Sequence, residues 1–186
     1  VGHPADVERL RMTLLEMAHL EGFNRSAQDV TLARLLQFGI APALKQNFEE
    51  IQRAPYIIRL LLVELDLEGN PTFFRINYDG HWETFKNGTV ISGNEKVMDW
   101  IQKEIQDLPF ATFTLDKALE EVCRLWDESK KKEEEDEKDK DFPKTLKEAF
   151  DQWYLEGAVL LGKEERRAIY RALTKEEIGK LKSSVG

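Results

Sequence analysis

One cysteine, three histidines and no apolar run of the eighteen or so residues that a membrane span needs are the first marks of this 186-residue sequence. Cys123 alone excludes an intrachain disulfide and a structural zinc site, and suits a reducing compartment. His3, His19 and His81 have no mutual metal-ligand spacing, so no metal is expected. Glycine-rich phosphate loops are absent, "GNEK" being too short to be one, so no cofactor is expected. No charged segment followed by an apolar stretch opens the chain, so no signal peptide is expected, and cytoplasm is the default. Positive charge is also short. Lys and Arg number 27 against 35 Asp and Glu, a formal charge of −8, which argues against unaided binding to nucleic acid or anionic membrane.

What is present suffices for one full domain, or one domain plus an appendage. With 41% hydrophobic and 33% charged residues, the chain can bury a core and stay in solution. In "PADVERLRMTLLEMAHLEG", Val7, Leu10, Leu14 and Ala18 recur at helical spacing, Pro4 suits a first turn and Gly22 a stop. A second start lies at "SAQD", where Ser26 and Asp29 resemble a capping box. Val30, Ala33, Leu36 and Ile40 continue as an apolar stripe, with Gly39 and Pro42 placed to bend or end it. "YIIRLLLVELD" is nearly continuous apolar residues, as in a strand covered on both faces. Turn sequences at Gly69 and Gly80 separate it from "PTFFRINY" and "WETFKNGTVIS". These spacings predict a three-stranded antiparallel meander that needs helices on one face. Val97, Ile101 and Ile105 then mark a third helix. Leu115, Val122 and Trp126 mark a fourth, with Cys123 on its inward stripe as a core thiol. The order of elements predicts an α+β fold.

From Asp127 to Asp141 nearly every residue is charged, which predicts a solvated linker. The expected division is therefore residues 1–128 as the α+β domain, 129–141 as linker and 142–186 as a C-terminal helical extension. In that extension Leu146, Phe150, Trp153 and Tyr154 form an apolar face, and Thr174 with Glu177 forms another capping box.

Several of these stretches, in this order, resemble subunits of the proteasome core particle, in the N-terminal nucleophile hydrolase superfamily. "GHPADVERLRMTLLEMA" is similar to the Gly-x-x-Ala-Asp opening of that family's first helix, and "DVTLARLL" to its second. "LLLVELDLEGNPTFFRINYDGHWE" is similar to its central meander, "ISGNEKVMDWIQKEI" to the glycine-flanked approach to its third helix, and "TLDKALEEV" to its fourth. The resemblance implies an antiparallel sheet layered with paired helices (αββα), incomplete at its N-terminal strands, and assembly as a homo- or hetero-oligomer with similar subunits. It also implies a candidate site. Gly2 corresponds to the glycine whose backbone N–H stabilises an oxyanion, and Ser92 and Gly93 to the Ser-Gly beside the nucleophile. Active members carry an N-terminal threonine on a strand before the first helix. Here that place is taken by Val1, which has no nucleophile, and no strand is apparent after the fourth helix.

Acyl transfer needs a nucleophile with a base in reach, and these residues supply neither. Ser92 also reads as a helix cap and Gly93 as part of its tight turn. Glu64 and Asp66 have no facing acid for a glycosidase pair, and the four tryptophans read as packing residues. The expected function is a non-catalytic subunit with a structural role in a ring or barrel for protein degradation. Two alternatives stand beside it. One is a threonine-type peptidase subunit, acting on peptide or protein, whose nucleophile strand lies outside this sequence. The other is an unrelated α+β interaction domain.

Overall fold

The computed structural model describes residues 1–26, 29–52, 54–132, 142–161 and 170–185. It is an α+β chain of two compact units, Val1–Asp66 with Pro71–Ile91, and Leu67–Asn70 with Ser92–Gly186. The units divide at Ile91–Ser92 rather than at residue 128.

In the first unit, α1 (Pro4–Asn24) begins with proline in its first turn, where the missing N–H costs no bond. It runs through Gly22 and ends when Arg25 N–H reaches Glu21 O. The next helix starts later than "SAQD" suggests. Its N-cap is Thr31, whose side chain accepts from Arg34 N–H, and α2 spans Leu32–Leu35. A π-helical turn, Leu36–Ile40, leads directly into α3 (Ala41–Glu49). Proline explains the widened turn. In a regular α-helix the Pro42 ring would press on the carbonyl four residues back, and widening the preceding turn relieves that clash. The helix therefore neither ends nor breaks at Pro42.

The meander forms as expected, with β1 (Arg59–Leu65), β2 (Pro71–Asn77) and β3 (Trp82–Phe85) in the order β1-β2-β3. Register pairs Leu60 with Ile76, Leu62 with Phe74, and Ile76 with Trp82. This alternation places Leu60, Phe74 and Ile76 in one cluster with Leu10 of α1, Leu36 and Ile40 of the π turn, Leu44 of α3, and Ile58. Each such side chain, fully buried, contributes roughly 1.5–3 kcal/mol. The opposite face of β1 is less covered than its apolar run suggests, for Leu61 is 42% exposed. Gly80, at φ +83°, closes the β2–β3 turn, where a Cβ would overlap Ala41 O of α3. Hairpin and helix backbones touch there.

The second unit holds α4 (Glu95–Asp107), a 3-10 turn at Phe110–Thr112, α5 (Leu115–Lys132), α6 (Leu146–Gln152) and α7 (Lys175–Val185). Val97, Ile101 and Ile105 form the buried face of α4, as their spacing predicts. The start of the expected linker is helical instead, since α5 continues to Lys132. Arg124 pairs with Glu128 and Lys131 with Asp127, one turn apart, while Ser129 is buried and donates to Trp126 O. The Lys130 and Lys132 ammoniums stand over the Trp126 and Trp100 rings. The remainder of that charged run, from 133 to 141, lies outside the described residues. The C-terminal region is not wholly helical, because β4 (Ala158–Leu160) and β5 (Tyr170–Ala172) pair antiparallel.

Candidate functional site

Gly2 sits at the head of α1, in the first unit. His3 N–H donates to Ile57 O at 3.1 Å, Arg59 N–H to Val1 O at 2.8 Å, and Val1 N to Arg59 O at 2.8 Å. Residues 1–3 thus lie antiparallel along the chain leading into β1, with Gly2 opposite Ile58. Gly2 has φ +130°, and a Cβ there would overlap Ile57 O. Glycine is therefore required at this position by close backbone approach. Val1 and His3 turn their polar groups toward the strand, so those of Gly2 face the other way. Its N–H bonds to no described residue.

Ser92 and Gly93 belong to the second unit. Their role in the helix start differs from the one expected. Asn94 is the N-cap of α4, its Oδ1 accepting from Val97 N–H at 3.1 Å. Ser92 Oγ accepts from Asn94 N–H at 3.2 Å, a turn just ahead of the cap. Gly93 has no positive φ, and an added Cβ would meet no atom within 4 Å. The local backbone does not demand glycine there. Gly2 and the Ser92–Gly93 pair are thus placed in separate units.

The other reactive groups are structurally committed. Burial raises the Cys123 thiol pKa, which disfavours the nucleophilic thiolate. Glu64 Oε2 accepts from Leu32 N–H at 2.6 Å, a carboxylate set against the start of α2. Its place within an apolar strand gave no hint of this cap, since Leu32 lies far off in sequence. Among the described residues no group of three His, Cys, Asp or Glu could hold a metal. None of their helices is long and apolar enough to cross a membrane.

Two grooves escaped sequence reasoning because each joins separate helices. One, of about 160 Å³, lies between α5 and α6 and is walled by Val122, Trp126, Leu146, Phe150, Trp153 and Tyr154. The other, about 530 Å³, mixes Lys117, Arg124 and Lys147 with Glu120, Glu121 and Asp127. Lys117 and Arg124 both hydrogen-bond Glu121 and hold its carboxyl below the usual range. The cations of that groove are thereby largely occupied by neighbouring acids. Comparison with known protein families and with curated proteins finds no match to this chain.

Proposed function

We propose that the chain is a proteasome-like subunit of the N-terminal nucleophile hydrolase superfamily, non-catalytic as it stands, with a structural role in a ring or barrel for protein degradation. In this reading the helix-backed sheet is part of an αββα sandwich, and partners are further copies or similar subunits. One observation carries the reading: α1 and the α2–α3 pair pack on one face of a three-stranded antiparallel meander, which leads on to α4 through Ser92–Gly93. The Gly2 N–H is compatible with an oxyanion donor. Val1, the residue before Gly2, has no side-chain nucleophile.

The threonine-peptidase alternative gains support from Val1–His3, which approach α1 along the sheet edge as a strand would. Two measurements test these readings. Electron microscopy of the purified chain should show closed rings or ring segments; only monomers and irregular particles, at high concentration and with similar subunits added, would sink the structural reading. Incubation with fluorogenic peptides should give no turnover. A rate abolished by Ser92→Ala would overturn the non-catalytic assignment.

A further inference from the structure

The groove between α5 and α6 combines an apolar interior with positive charge on its walls. Val122, Trp126, Leu146, Phe150 and Trp153 line it, and among the described residues no acid does. Val122, Trp153 and Tyr154 are exposed, so these walls are open to solvent. The volume, about 160 Å³, is the size that accepts one benzene ring. Two ammonium groups stand over rings of the wall. Lys182 of α7 lies 5.5 Å from the centre of the Phe150 ring, and Lys130 of α5 lies 5.3 Å from that of Trp126. Lys182 Nζ also donates to Phe150 O at 3.1 Å, which fixes it at the last turn of α6. Asp127, next to Trp126 in sequence, is held by Leu146 N–H and Lys131.

We propose that this groove is a binding site for a small aryl carboxylate. The ligand's ring enters between Trp126, Phe150 and Trp153, and its carboxylate meets the Lys182 and Lys130 ammoniums. Charge selects this occupant. Aromatic walls by themselves attract a cation, but the places over Trp126 and Phe150 are already taken by the two lysines. A further cation is repelled there. A neutral ring gains apolar contact only. An anion gains charge-assisted hydrogen bonds as well, because an ammonium carries three donors and Lys182 uses one of them on Phe150 O. An apolar pocket bordered by a few charged groups is the usual form of a small-molecule site. The inference goes beyond the proposed function and does not need the family reading.

Three probes of one shape separate these cases: phenylacetate, neutral phenylacetamide and cationic phenethylamine. Each is titrated at neutral pH into the nitrogen-15-labelled chain, with the indole N–H signals of Trp126 and Trp153 as the readout. Phenylacetate should shift both signals and bind at least about fivefold more tightly than the amide, with the amine weaker still. Lys130→Met and Lys182→Met, made in one chain, keep the apolar stems and remove both charges. The preference for phenylacetate should then vanish while the amide binds as before. If that double variant does not fold, Val122→Glu at an exposed site provides the second one. It sets a carboxylate on the groove wall, and should weaken phenylacetate at least about tenfold. No shift at tens of millimolar phenylacetate overturns the proposal. Equal binding of the three probes overturns it too, as does a preference that survives the folded variant. Shifts confined to Trp82 or Trp100 place the binding elsewhere and also sink it.

Discussion

In the unit that carries β1, β2 and β3, eight buried apolar residues form a single cluster. In the unit that carries α4 to α7, the buried residues are shared among four helices, and the links easiest to name are ionic. Lys117, Glu121, Arg124 and Glu128 form a ladder along α5. Arg171 grips Glu177 with two nitrogens, at 3.0 and 2.8 Å, while Thr174 N–H and Oγ1 also donate to that carboxylate. The contrast is between two kinds of link: apolar burial, which carries no charge, and ion pairs, which answer to pH and salt. The first unit has ion pairs too, such as Arg75 with Glu83, but its cluster is made without them. A dry cluster is lost cooperatively when its centre is emptied, whereas exposed ion pairs each contribute little and are screened.

The largest effect should come from emptying the cluster. Phe74 is 1% exposed, and Phe74→Ala should cost about 3–5 kcal/mol. Hydrogen exchange should lose protection across Ile58–Phe85 while Val97–Ser129 keeps its own. Equal loss in both units would erase the contrast.

Next come the glycines. Gly80→Ala forces a Cβ into Ala41 O at a left-handed φ, and should cost about 1–3 kcal/mol by urea unfolding. Gly93→Ala should fall within about 0.5 kcal/mol of wild type. If Gly93→Ala proves as harmful as Gly80→Ala, position 93 carries a packing role that its open surroundings do not account for.

A third test concerns acid. Arg171 and Thr174 lower the Glu177 pKa from 4.5 to about 2. A carboxyl with a depressed folded pKa adds stability above its unfolded pKa and loses it as pH falls toward the folded one. Thermal melts of the second unit should therefore fall between pH 4.5 and about 2. Glu177→Gln should start lower at neutral pH and change less across that window. Parallel wild-type and variant profiles would show that the clasp adds nothing.

The smallest effect is expected on α5. Glu121→Gln should cost about 0.2–1 kcal/mol, a loss that shrinks in high salt. Salt should leave the Phe74→Ala penalty nearly unchanged.

The meander was legible because its signal is local. Apolar residues alternate along β2, and Gly69 and Gly80, both at positive φ, stand where the chain turns. Helix α4 was legible for the same reason, with Val97, Ile101 and Ile105 one turn apart. The linker expectation for residues 127–141 rests on their charge, whereas α5 continues to Lys132. A helix already nucleated extends without a new nucleation cost, and the burial of Ser129 and the lysine–tryptophan contacts add to the pairs. Strands β4 and β5, three residues each, are too short to show an alternation. At the candidate site, Ser92 was correctly placed near a helix start, but Asn94 caps it. The need for glycine at Gly2 arises from pairing with Ile58, far along the chain, which no local pattern reveals.

The widened turn at Leu36–Ile40 acts as a phase adjuster. Ala41 N–H reaches back to Leu36 O, five residues away, so one extra residue is accommodated before α3 begins. Leu36, Ile40 and Leu44, all 0% exposed, nevertheless stay on one side across the change of pitch. Five residues pass here through about the angle that four cover in an ordinary α-helix, so deleting one of them would restore regular winding and leave α3 in nearly the same phase. Leu44 would keep its side toward the sheet, and the cost would fall on Pro42, whose ring would again press on the carbonyl four residues back. A single-codon deletion here is therefore a local change, felt at the turn rather than along all of α3.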